Sequence, residues 1–276
     1  MQARDVDAVH HVSVAAFEDL ARRFGEEPDP PAPVTDARLR VGRLRATDPG
    51  GAWVAERRGE VVGASLGIVR EGLWGLSLLV VRPDAQSSGA GRELLSRAYE
   101  YGDGARGRVV LASPDARALR SYARLGLALH PSLRASGRPR NAAMPPDVRP
   151  GTLADLALTV AVDRAVRGAA HGDDLAAMLE AGGDLLVLDE RGYAVVKSGA
   201  VRLLAATAEA AAATLLRGCL AAAGDGESSV EWITSAQNWA LAPCLDAGLE
   251  LRMYGAVFTA GDVGPFAPYL PSGAYL

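Results

Sequence analysis

Gln86-Ser-Ser-Gly89-Ala-Gly91-Arg92 is the stretch of this chain whose residue types suit the holding of an anion. An apolar run, Leu76 to Val81, reads as a buried strand just upstream, and Pro83-Asp84 marks a turn. From Gly91 a helical spacing sets Leu94, Leu95, Ala98 and Tyr101 on one face. Strand, glycine loop and helix start, in that order, make a phosphate site. Glycines let the backbone come close to the ligand, and the first free N–H groups of the helix point at it.

Two other glycine-rich phosphate sites are excluded by spacing. A P-loop ends in Gly-Lys-Ser/Thr, whereas Gly91 is followed by Arg92-Glu93. A dinucleotide fingerprint needs a glycine three residues after Gly91, where Leu94 stands. The whole string, Val81-x-Pro83-x-x-Gln86-x-x-Gly89-x-Gly91-x-x-Leu94-Leu95, resembles the acetyl-CoA pyrophosphate-binding motif of the GNAT acetyltransferase superfamily. The family carries Arg or Gln where Gln86 stands and Gly or Ala where Gly91 stands. A second match follows a further strand, Arg108 to Leu111. Asp115-x-x-Ala118-x-x-x-Tyr122-x-x-x-Gly126-Leu127 resembles the family's N-x-x-A-x-x-x-Y-x-x-x-G-F helix, with Asp115 for Asn and Leu127 for Phe. Asp caps a helix start as Asn does, and Gly126 sits where a C-terminal glycine is expected. A carboxylate at 115 loses the donor that an asparagine amide offers a cofactor.

The resemblance implies acetyl-CoA as cofactor and assigns roles. The backbone of Leu79, Val80 and Val81 holds the pantetheine arm and supplies an oxyanion donor. Gln86, Ser87, Ser88, Gly89, Ala90, Gly91 and Arg92 take the pyrophosphate, and Asp115 lies beside the arm. Tyr122 stands where many members carry the general acid for the leaving thiolate; a phenol with a reference pKa near 10 is protonated at neutral pH. No metal is implied. The general base is not readable: Leu73 to Val81 carries no acid, and Glu56 and Glu60 sit at a hairpin turn. Glu18, Asp19, Glu26, Glu27 and Asp29 form an acidic patch, and Arg38, Arg40, Arg43 and Arg45 read as an exposed helix face. His10 and His11 show no partner, and His171 reads as packing in a loop.

The chain has 276 residues, 49% of them hydrophobic, enough for about two domains. A net charge of −4 gives a nucleic-acid role no support. Cys219 and Cys244 form no CxxC and stand near no histidine pair, which argues against a disulfide framework or a metal site. No signal segment or membrane span is read, so a cytoplasmic protein is expected, monomeric or homodimeric, with no membrane or nucleic-acid partner. Lys197 is the only lysine.

The second half echoes the first. Gly51 to Gly59 resembles Gly183 to Gly192, and Ala118 to Leu127 resembles Ala240 to Leu249. Between those landmarks the second half is eleven residues shorter. Val201 to Ala205 runs almost directly into an alanine-rich helix from Glu209, with no glycine loop, and Cys244 stands where Tyr122 does. A strand near Val148-Arg149 opens the second half; the first half has only Met1 to Asp5 there. The fold expected is α+β (mixed α/β): two tandem GNAT-like domains, each a twisted mixed β-sheet flanked by helices. Residues 1–137 form the catalytic domain, 138–146 a linker, and 147–276 a degenerate GNAT-like domain with an apolar C-terminal tail. The tail, Gly264 to Leu276, is too apolar and proline-stiff for a loose end and is expected to dock along folded surface. As a terminus, Leu276 sets a carboxylate at a defined spot. The function expected is direct acetyl transfer from acetyl-CoA to a primary amine, the acceptor being a small molecule or a peptide. The alternatives are a non-catalytic acyl-CoA sensor and a protein (N-terminal or lysine) acetyltransferase.

Overall fold

The computed structural model describes residues 1–28, 31 and 33–276; Asp29 of the acidic patch lies outside the described residues. The chain divides into two compact units, Met1–Val69 with Trp74–Ala105, and Arg70–Leu73 with Arg106–Leu276.

The first unit holds α1 (Val6–Arg23), α2 (Val34–Thr47), β1 (Ala52–Arg57), β2 (Glu60–Arg70), β3 (Leu73–Val81) and α3 (Ala90–Glu100). Its strands lie in the order β1-β2-β3. Ahead of α1, Ala3–Asp5 form one turn of 3-10 helix and, among the described residues, no strand. β2 and β3 are buried almost continuously because both faces are covered, so their apolar residues do not alternate. Leu94, Leu95 and Ala98 of α3 are buried, the face that the spacing predicts, and Tyr101 is half-buried just past the helix end. The Trp74 indole donates to the Ala98 carbonyl (2.9 Å) and the Ser65 hydroxyl to that of Leu94 (3.0 Å), which fixes α3 over β2 and β3. A Cβ at Gly67 would lie 2.8 Å from the Ala98 oxygen, so glycine is what allows this approach.

The second unit holds β4 (Gly107–Ala112), α4 (Ala116–Arg124), β5 (Ala128–Gly137), β6 (Arg149–Pro150), α5 (Leu156–Arg167) and α6 (Asp173–Glu180). It continues with β7 (Asp184–Leu188), β8 (Gly192–Lys197), β9 (Ala200–Ala206), α7 (Glu209–Ala222), β10 (Ser228–Ile233), α8 (Leu241–Asp246), β11 (Glu250–Gly261) and β12 (Tyr269–Leu270). The strands run β4-β11-β5-β10-β9-β8-β7-β6, with β12 on β9. β9 and β10 are parallel; the other paired strands in this unit are antiparallel. Its core gathers the inner faces of β8, β9 and α7, including Ala194, Leu204, Leu215 and Leu216.

The element order repeats: helix, helix, three strands, helix, strand, helix, strand in each half, with β6 as the short opening strand of the second. Gly126 and Gly248, after α4 and α8, share left-handed φ values of 78° and 79°. Gly72 and Gly199, in the β2–β3 and β8–β9 turns, share 79° and 77°. Gly59 and Gly192 are not such a pair. Gly59 is left-handed at 82°, while Gly192 is extended and follows a 3-10 turn, Asp189–Arg191. The eleven-residue difference is therefore corrected. Counted along the chain, α3 begins 17 residues after Leu73 and α7 nine after Ala200, so eight residues are missing at the strand-to-helix connection.

The last strand of each half is exchanged. β5 does not lie beside β4; β11 lies between them, Val257 opposite both Leu111 and His130. β5 in turn pairs with β10, Val230 opposite Ala135. The compact units consequently cut across the two sequence halves.

Candidate functional site

Leu79, Val80 and Val81 close β3. Val80 is buried, and Leu79 and Val81 are half-buried. A 3-10 turn, Pro83–Ala85, follows, and its end is tied back by Gln86, whose side-chain amide donates to the Val81 carbonyl (3.1 Å). The Ser88 hydroxyl donates to the Ala85 carbonyl (2.6 Å). Ser87, Ser88 and Gly89 are exposed, and Ala90 opens α3. Gly89 is the residue before the helix, in a left-handed conformation (φ 95°); among the described residues, no atom beyond its chain neighbours lies within 4 Å of where a Cβ would stand. No side chain caps α3. The Arg92 and Glu93 amides bond back to the Gly89 carbonyl, so the amides just ahead of them are the ones left facing outward. Arg92 is exposed. A bare backbone concavity, a helix N-terminus and a free guanidinium together suit a pyrophosphate. At its base Arg82 and Arg57 hold Asp84, and Arg82 also reaches Glu60 (3.2 Å), so these arginines are engaged with carboxylates.

Asp115 and Tyr122 are both on α4, in the second unit. Asp115 is the N-cap: its carboxylate accepts from the Arg117 amide (2.9 Å) and pairs with the Arg117 side chain (2.8 Å). Tyr122 is 5% exposed, its ring edge-on to Phe258 of β11 with centroids 5.5 Å apart. Burial, and then the Asp115 charge, push its pKa well above the ordinary phenol range, so the hydroxyl keeps its proton at neutral pH.

The arginine run is corrected. Arg38 is exposed and pairs with Asp7 (2.7 Å), but Arg40 turns inward and donates to the Ser77 carbonyl (2.7 Å) and hydroxyl (3.0 Å). The signal was present: Arg40 lies four residues before the fully buried Leu44, on the same helix face. Glu18, Glu26, Glu27, Glu56 and Glu60 are exposed. His171 is 1% exposed; Nδ1 faces Asp163 Oδ2 (2.9 Å) and Nε2 the Leu276 carbonyl oxygen (2.8 Å). Tyr193 also donates to Asp163. Burial works to raise the Asp163 pKa, but the charges and hydrogen bonds of His171, Arg167 and Tyr193 leave it below the usual carboxylate range. Clefts of about 690 Å³ and 500 Å³ open elsewhere, the first lined by Arg138, Arg140, Glu227 and Glu250; neither includes any residue from Gln86 to Arg92.

The second half lacks this arrangement. Only Thr207 and Ala208 separate β9 from α7, and Glu209 sets a carboxylate in the first turn, where an anion would have to approach. Cys244 is buried on α8, its thiol pushed up to about 12 by that burial.

Residues 14–127 match the Acetyltransferase (GNAT) family. This segment, under half of the chain, carries both motifs. The fold extends the likeness to the whole chain. A candidate acetyltransferase from Pyrococcus horikoshii superposes with a TM-score of 0.78 at 17% identity, covering 100% of this chain and 93% of that one. A GCN5-related N-acetyltransferase from Sphaerobacter thermophilus gives 0.59 at 15%, covering 95% and 94%. A tandem GNAT protein from the clavulanic acid biosynthesis pathway gives 0.58 at 14%, covering 95% and 97%. No curated protein gives a significant sequence match. Among the described residues no helix is long and apolar enough to cross a membrane.

Proposed function

We propose that this chain is an acetyl-CoA-dependent N-acetyltransferase acting by direct transfer to a primary amine of a small molecule or peptide. In this reading residues 1–137 carry the chemistry, 138–146 connect, and 147–276 bind no cofactor. The observation that carries it is the uncapped start of α3 behind the Gln86–Arg92 loop, set against the eight-residue loss at the matching place before α7. Bound acetyl-CoA supplies an activated acyl thioester. The α3 amides and Arg92 hold its pyrophosphate. The main chain of Leu79 to Val81 orients its arm and gives a donor to the oxygen on which negative charge develops. Tyr122, kept protonated by burial, donates toward the leaving sulfur. The two buried free cysteines suit a reducing cytoplasm.

Gly91 gives the cleanest test. A Cβ there meets only the Val81 side chain at 3.5 Å, an ordinary contact. Gly91→Ala should keep the fold and the affinity. Gly91→Glu should also keep the fold, since an acid in a first turn suits the helix dipole, but its charge repels the pyrophosphate. Calorimetric titration is expected to show acetyl-CoA binding lost in Gly91→Glu and kept in Gly91→Ala. Unchanged affinity in a folded Gly91→Glu overturns the cofactor assignment.

A further inference from the structure

β9 has two different neighbours on one edge. β8 covers its other edge from Gly192 opposite Ala206 to Lys197 opposite Ala200. On the free edge β10 pairs only at Ser229 opposite Ala200 and Val230 opposite Val201. Beyond Val230 the two parallel strands part; the pairing of β10 with β5 shifts register there, and Trp232 takes a left-handed φ of 61°. The opening is filled by the end of the chain. Tyr269 pairs antiparallel with Ala205 and Leu270 with Leu204, and the Ala206 amide donates to the Pro268 carbonyl (3.2 Å).

This segment is held as a ligand is held. The Phe266 amide donates to the Val166 carbonyl (2.6 Å), and the buried Gln237 side chain donates to the Phe266 carbonyl (2.9 Å). Tyr269 is fully buried, Leu270 and Leu276 are 2% exposed, and the Tyr269 hydroxyl donates to the Leu276 carbonyl (2.7 Å). Position relates the slot to the other half. Ala206 lies seven residues beyond the turn glycine Gly199, as Leu79 lies seven beyond Gly72. Leu79 opens the strand segment that the proposed function gives to the arm of acetyl-CoA. That arm and a peptide are both extended and amide-bearing, and a free strand edge recognises each through main-chain hydrogen bonds.

We infer that the opening between β9 and β10 is a binding slot for an extended apolar peptide, filled in cis by Pro265–Leu276, which takes in the second half the place that the first half gives to the cofactor's arm. The inference rests on the proposed function for what the first half binds, and on the strand pairing alone for the peptide. One cofactor per chain then has two causes, a missing pyrophosphate seat and an occupied arm slot.

A protease site placed at Gly264–Pro265 in the full chain and cut after folding tests this. The cut chain, freed of its peptide, should rebind a synthetic 265–276 peptide at one per chain, and free pantetheine should displace that peptide. A folded cut chain that ignores the peptide, or pantetheine that leaves it in place, overturns the inference. Should the cut chain unfold, Leu270→Glu in the intact protein serves instead. It sets a charge in an apolar slot and should raise tail proteolysis roughly tenfold or more, with pantetheine raising it further. No change in cleavage overturns the inference equally. Acetyl-CoA titration of the intact chain separates the two readings. If the intact chain binds none, the proposed function fails while the peptide result stands.

Discussion

Tyr122 shows what a buried hydroxyl can be asked to do. Burial raises its pKa, so the proton is present at every ordinary pH and its loss is disfavoured. A phenol held that high serves a developing thiolate as a hydrogen-bond donor more readily than as the source of a whole proton. If it has that role, Tyr122→Phe should lower turnover by roughly 10²- to 10⁴-fold while acetyl-CoA affinity stays close to wild type. Phenylalanine keeps the edge-on contact with Phe258, so the loss isolates the hydroxyl. A wild-type rate in steady-state kinetics would return Tyr122 to packing alone. Tyr122 and Asp115 were legible because both belong to one helix, where spacing in sequence is spacing in space. Arg40 was misread because the face that α2 buries is set by what packs on it, even though Leu44 one turn on marked the side. The partners of His171 were out of reach: Asp163, Tyr193, and Tyr269 with Leu276 come from three stretches of chain that only the fold brings together.

At the scale of elements the two similar halves differ at the start of one helix. Neither α3 nor α7 has a side-chain cap, but α3 follows a loop with a left-handed glycine, whereas only two residues separate α7 from its strand and it opens with a glutamate. The loss was visible in sequence because the glycines are simply absent; its size was misjudged because Gly192 is extended where Gly59 is left-handed. The turn ahead of α5 makes a separate point. There Thr152 and Asp155 form a capping box, and Arg149 pairs with Asp155 at 2.6 Å. The Arg149 hydrogen bond, and then the Thr152 amide, lower the Asp155 pKa from 3.8 to about 2. A carboxylate whose folded value lies below its unfolded one stabilises the protein fully above the unfolded value and loses that contribution as pH falls toward the folded one. Thermal melts between about pH 5 and pH 2 should therefore show a decline that is shallower in Asp155→Asn, which also starts from a lower melting temperature near neutral pH. Equal slopes in the two proteins would deny Asp155 that role.

At the scale of the whole molecule, strand exchange outweighs the sequence repeat. Periodicity and motif spacing found both halves and their element order, because those are local properties. They could not find that β11 lies between β4 and β5, or that β5 lies beside β10, since nothing local in a strand names its partner. The consequence concerns independence. In a chain of residues 1–137 alone, β4 loses β11 along Gly107–Ala112, and β5 loses both β11 and β10. Buried Val109, Val110 and Ala135 would stand on unpaired edges, which cost unsatisfied amides and invite aggregation. The first half holds every motif residue and yet is expected not to fold by itself. Expressed alone, 1–137 should be insoluble or lack a cooperative melt. Co-expressed with 138–276, it should be recovered as a one-to-one complex that regains acetyl-CoA binding, because each fragment supplies the strand the other lacks. A soluble 1–137 fragment, monomeric in sedimentation and melting cooperatively, would show that the exchanged strands are not needed to hold that half together.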